Sequence, residues 1–544
     1  MLGFWLESPP DHGLNAAGFL LSVSTAVLIA FTCFTCFTYT YARCDGNIPR
    51  IREPPGKKRF SLKTRWAYYT DCAGLFSDAY NNFSKKGLPV WIPSLGTRND
   101  ILMPHKDLAW VLAQPPNIIS IRHAYNDING IKRSLGSSKY MLDNWQGMLV
   151  SKELNKVLDG IVLALNDELK FVLESRLGRD TANWKILDLQ QTVQLMIVQA
   201  TSRFHVGKPL CRNEEYLHLI LNIMDEMIFS AAITGAFPTI LQPLINLVAS
   251  WRLRRLISRV RKLIEPRFKE CMAHDVAEDK CTDFFQMLFR FARKERPDEL
   301  NLWDLTNRLC MANFEAIHQT SMAITNMILN IVSSDAEYDT ISILRNEATA
   351  HLGCGSSNSG EYLDDDTKWT KAKIAKLFKA DSIARETMRL HSFANRGLFR
   401  KVMVDGVQTE GGFSLPKGSI LSFLSQPLHI DSDIFGDPLK FDPWRFSRAR
   451  EQCEKATASP ATVEAAGTHS LVSTSQLLSF GRGRNACPGR FLVDFEVKMI
   501  VSYLLLRYDI RFPEEYGNQR PQNRWLAEAS VIPKDARVMV RRRK

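Results

Sequence analysis

The chain has 544 residues, of which 45% are hydrophobic and 24% charged, so it is neither a disordered polymer nor a small disulfide-stapled scaffold, and it can bury a large core. Its eleven cysteines follow no regular spacing, which excludes a disulfide framework, and Cys33 and Cys36 lie in an apolar run without a second ligand pair. The net charge of +12 is spread along the chain with no nucleic-acid motif beside it, so an anionic membrane face or an acidic protein partner is expected and nucleic acid is not.

Residues 1–15 form a short tail, and residues 16–42 carry no charged side chain. An apolar run of that length crosses a bilayer as one helix. Glu7 and Asp11 precede it, whereas Arg43, Arg50, Arg52, Lys57, Lys58 and Arg59 follow it. The positive-inside rule then places the tail across the membrane and everything after Arg43 in the cytoplasm, as a retained anchor and not a cleaved signal. Residues 43–59, with Pro49, Pro54 and Pro55, read as a stiff basic linker. The sequon Asn82-Phe83-Ser84 is thereby kept out of the lumen.

From residue 60 to 544 the pattern is that of one domain, mainly α with small β-sheets. Helical periodicity runs over 152–177, 188–202, 215–228 and 251–268, while 399–404 and 418–423 read as strands around the turn Asp405-Gly406. Segments 353–366 and 456–475 read as surface loops. Phe314, Ile317, Ile324, Ile328 and Ile331 predict a helix over 304–331, about 40 Å long, whose middle reads Glu315-Ala316-Ile317-His318-Gln319-Thr320-Ser321. A further helix starts near Lys371 and ends in Arg385-Glu386-Thr387-Met388-Arg389-Leu390, with Glu386 and Arg389 on one face. Downstream come Phe441-Asp442-Pro443-Trp444-Arg445-Phe446 and then Phe480-Gly481-Arg482-Gly483-Arg484-Asn485-Ala486-Cys487-Pro488-Gly489-Arg490. This last segment sets one cysteine between a glycine-rich turn and an apolar helix. There, main-chain N–H groups, the helix dipole and three arginines favour thiolate over thiol.

Phe480, Gly483, Cys487 and Gly489 together resemble the heme-binding loop of the cytochrome P450 family. The resemblance extends to the Glu386/Arg389 helix, to the Arg445 loop and to most of the chain after the anchor. It implies the P450 fold and heme b held through the Cys487 thiolate. It also implies a buried triad of Glu386, Arg389 and Arg445, and a propionate contact at Arg400. Asn485 stands where the family has Arg or His, and Ser392 where a proline is usual. On the long helix, Ala316 takes the small-residue slot beside dioxygen, His318 the acid slot and Gln319 the first threonine slot, with Thr320 next. Fungal secondary-metabolism members commonly read Ala-Ala-Ile-His-Thr-Thr here, so Gln319 is the departure. Proton transfer is expected through Thr320, His318 or water between them. Segments 204–216 and 395–399 are similar to the fungal microsomal branch.

That branch implies a monooxygenase anchored in the endoplasmic reticulum membrane with its catalytic domain in the cytoplasm. Electrons would come from NADPH through cytochrome P450 reductase, and the substrate would be bulky and lipophilic, a terpenoid or related secondary metabolite. Stretches 228–237 and 393–399 fall where the family contacts substrate. A heme-thiolate isomerase or dehydratase needing no external electrons, and a catalytically silent heme binder, are the alternatives. NADPH consumption in the presence of a reductase separates them.

Overall fold

The computed structural model describes residues 24–26, 28–34, 44–273, 283–353, 369–448, 451 and 477–544. Most of the expected anchor and both low-complexity loops therefore lie outside the described residues. Within the anchor, Ser24–Phe34 is helical and apolar, with Leu28, Ile29 and Phe31 exposed. Another helix, Glu214–Ala236, is long and apolar enough to cross a membrane, but it packs in the core through Leu217, Ile220, Ile223 and Met227. Tertiary packing accounts for its composition.

Helices dominate, and their starts follow local capping chemistry. The Asp188 side chain accepts the Gln191 N–H to begin Leu189–His205, and Asn213 caps Glu214–Ala236 in the same way. The central helix, Leu302–Tyr338, is capped by Asn301 and stops where Asp339 turns left-handed, at φ 49°. Its 37 residues make it about 55 Å long, longer at both ends than its apolar spacing predicts. The helix expected from Lys371 is broken: Lys371–Ile374 and Phe378–Leu390 are separate, because Ile374 and Leu377 both turn into the core across the gap. Arg490–Arg507 follows the cysteine loop and is almost entirely buried.

The main sheet has five strands in the order Val90–Pro93, Asn99–Leu102, Ile420–Leu424, Arg396–Val402, Ile119–Ser120. Only Asn99–Leu102 against Ile420–Leu424 is parallel. Gly397 pairs with Phe423 and Arg400 with Leu421, so three steps on one strand match two on the other. This bulge holds Leu398 at φ 58°. A three-stranded sheet (Lys185–Asp188, Arg537–Arg542, Tyr508–Arg511) and the hairpins Val407–Gln408/Ser414–Leu415 and Arg524–Leu526/Ala529–Val531 complete the β-structure among the described residues.

Candidate active site

The loop before Arg490–Arg507 closes on itself. The Cys487 N–H donates to the Phe480 carbonyl at 2.8 Å, and Arg490 Nη1 donates to the Cys487 carbonyl at 2.8 Å. Gly481 and Gly483 sit at φ 69° and 72°, a conformation that side-chain-bearing residues seldom adopt. Burial pushes the Cys487 thiol up, and Glu315 adds to the rise. The N–H groups of Gly489 and Arg490 and the Arg490 charge pull it down. The balance is upward, against the expectation that the loop alone favours thiolate, because desolvation outweighs the helix terminus. A cation at the sulfur is needed to complete deprotonation.

On the central helix Glu315 and Gln319, one turn apart, are exposed, while Ile317, Thr320 and Ser321 are buried on the opposite face. Glu315 is nonetheless enclosed by protein, and desolvation lifts its carboxyl to about 7. Its charge raises the pKa of both Cys487 and Tyr125. The Thr320 hydroxyl donates to the Ala316 carbonyl at 2.8 Å. His318 meets the Phe393 ring edge-on at 6.0 Å. Burial lowers its pKa, against the pull of Asp225 on Glu214–Ala236.

Arg400 is 3% exposed, with Nη1 on its neighbour's carbonyl and Nη2 buried without a partner. Desolvation depresses its pKa, Tyr125 counteracts this, and Arg484 adds to the depression. A half-satisfied buried guanidinium beside a second arginine leaves room for an anion. Asn485 is exposed in the turn Gly483–Asn485, and Phe480 packs at the edge of the core. A thiol with converging N–H groups, an orphaned cation at the rim and a small-residue helix opposite fit a heme and its propionates. The site residue that sequence reasoning passed over is Glu315. The signal was present, since a carboxylate four residues before Gln319 must share its face.

Glu386 and Arg389 are both fully buried and doubly bonded, at 2.8 and 2.7 Å. Arg445 Nε reaches the same carboxylate at 3.1 Å, and the Asp442 N–H donates to it at 3.1 Å. Arg389 also donates to the carbonyls of His429 and Pro438, so the three side chains tie their helix to two loops. A separate cavity of about 320 Å³, lined by Arg203, Phe204, Leu492 and Glu496 among others, does not include Cys487.

The model of the family described as cytochrome P450 matches residues 143–540. The chain is 44% identical over 532 residues to the cytochrome P450 monooxygenase pbrC of Penicillium brasilianum, covering 96% of each. It is also 44% identical to astC of Aspergillus terreus, over 92% of this chain and 93% of that one. TenB of Beauveria bassiana is 39% identical over 91% and 92%. Among solved structures, retinoic acid-bound cyanobacterial CYP120A1 superposes with a TM-score of 0.63 at 17% identity, over 91% of this chain and all of that one.

Proposed function

Because this chain belongs to the cytochrome P450 family and is a heme-thiolate monooxygenase, we propose that it oxidises a bulky lipophilic fungal secondary metabolite, terpenoid or related. The observation that carries the site assignment is the closed cysteine loop, with the Cys487 N–H on the Phe480 carbonyl at 2.8 Å and Arg490 on the Cys487 carbonyl at 2.8 Å. Cys487 would hold the heme iron through its thiolate. Arg400 would hold a propionate, with Asn485 beside it. Phe480, Gly483 and Gly489 would shape the loop that receives the porphyrin. Heme bound there supplies the oxygen-activating chemistry, powered by electrons from NAD(P)H through a reductase.

The chain's own residues orient substrate and move protons. Phe393 supplies apolar wall beside His318. Asp225 draws on the His318 imidazole from the neighbouring helix, which suits a path from the exterior to the small-residue slot. Thr320 holds a hydroxyl at the Ala316 carbonyl, able both to give and to take a proton, and Gln319 orders water on the cavity face. Glu386, Arg389 and Arg445 brace the fold beneath the site.

Residues 16–42 anchor the enzyme to the endoplasmic reticulum membrane. The catalytic domain lies in the cytoplasm, where its basic surface meets NADPH–cytochrome P450 reductase. The apolar helix Ser24–Phe34 and the basic residues after it support this. The test is microsomal expression with a reductase, measuring NADPH consumption and product masses against a panel of terpenoids. NADPH oxidation without substrate-dependent product across hydrocarbon and oxygenated members would overturn the substrate class.

A further inference from the structure

The cavity of about 320 Å³ that excludes Cys487 lies where four helices meet: Trp145–Leu177, Leu189–His205, Phe284–Glu295 and Arg490–Arg507. Small residues make the room. Gly160 and Ala164 sit one turn apart on the first helix, and Ala200 stands on the second. A Cβ on Gly160 would meet nothing within 4 Å. The floor is apolar and buried, with Ile161, Leu165, Phe204 and Met287. Gly160 is exposed, and Ala164 and Arg203 are half-buried, so that side opens to solvent.

Arg203 is the cation on the wall. Its Nε is buried without a partner, and among the described residues its guanidinium makes no hydrogen bond or ion pair. The acids that feel its charge are matched elsewhere: Asp283 takes Arg267 at 2.7 Å, and Asp167 takes Lys208. A guanidinium left unmatched at the mouth of an apolar chamber suits an anion with an apolar body. Glu496 also faces the chamber, but burial raises its carboxyl to about 8, so at neutral pH it is protonated and repels no anion. The volume is about twice the ~150 Å³ that admits benzene, enough for about ten to twelve non-hydrogen atoms.

We propose that this cavity is a second small-molecule site, taking a lipophilic carboxylate with its head on Arg203 and its tail between Ala200, Phe204 and Leu492. The test is calorimetric titration of the full-length holoenzyme, its heme saturated with 4-phenylimidazole to close the oxygen site. The ligands are octanoate and methyl heptanoate, an uncharged match of the same size. Octanoate should bind the parent one to one, about 10-fold more tightly than the ester. Arg203→Met should bring octanoate down to the affinity of the ester, and it should leave the fold intact because Arg203 bonds nothing there. Ala164→Phe at the mouth should exclude both ligands, and Ala200→Leu, which fills the same space from the facing helix, should do likewise. Failure of octanoate to bind the parent, equal affinity of acid and ester, or octanoate binding that survives these substitutions unchanged overturns the proposal.

Discussion

His429 accepts the main-chain N–H of Leu478 on Nε2 at 3.1 Å. The ring is fully buried, and desolvation together with Arg389 and His105 lowers its pKa to about 3, so it is neutral. A neutral imidazole that accepts on Nε2 carries its proton on Nδ1, which lies 2.9 Å from Ser392 Oγ. Ser392 in turn donates to the Met388 carbonyl. The serine that replaces the usual proline thus fixes a tautomer that holds the approach to the cysteine loop. His429→Phe should strand a buried N–H at a cost of about 1–3 kcal/mol and speed heme transfer to apomyoglobin, with Ser392→Ala showing a smaller effect.

Cys487→Ser should abolish the thiolate-type Soret band of the reduced carbonyl complex and all monooxygenase activity, because Cys487 is the only described cysteine lying in this loop. A band at the parent position in the variant would disprove the ligand assignment.

Breaking the ionic triad should act on assembly before turnover. Arg445→Ala and Glu386→Ala remove one member of a network whose Glu386 and Arg389 are 0% exposed, at a cost of about 3–5 kcal/mol. The expected outcome is a lower melting temperature and less heme per chain, with Glu386→Ala the worse because it leaves two guanidiniums unmatched. Parent-like heme content in both would show that the network is dispensable.

The proposed relay makes a prediction about coupling. Thr320→Ala should raise peroxide formed per NADPH oxidised at saturating substrate, and Gln319→Ala should raise it less. The reverse order would move the relay onto the cavity face where Gln319 points.

Stability should fall with pH through Glu496. Burial raises its folded pKa to about 8, against the ordinary carboxylate range when unfolded, with a bond from Thr201 only partly offsetting this. The folded chain therefore binds the extra proton. Its contribution is present at acidic pH and lost as pH rises through about 8. Glu496→Gln should flatten the decline in melting temperature between pH ~5 and ~8 measured by calorimetry.

What was legible in the sequence was what is local. Cys487 and the turn at Gly481 and Gly483 carry their conformation in adjacent residues, and Glu386 with Arg389 needs only helical spacing. The charges felt by Arg400, from Tyr125 and against Arg484, come from three distant segments, and no periodicity marks them. The His429 bond to Leu478 likewise crosses a stretch of chain with no regular pattern. Glu315 was hidden for a different reason: a charged residue on a mostly apolar helix reads as its solvent face, and here the surrounding protein lifts its carboxyl to about 7.

The extra residue in the strand Arg396–Val402 changes what a mutation there can do. Arg396 lies upstream of the irregularity and pairs with Asp100 at 2.8 Å, while Arg400 lies downstream with Nη2 unmatched. The strand carries one surplus residue between Gly397 and Arg400, so deleting Leu398 would close the bulge into a regular ladder and keep Arg400 opposite Leu421. Substituting Leu398 by glycine would relieve its left-handed backbone and keep the phase. At this position a changed residue and a lost one should both leave Arg400 in register with Leu421.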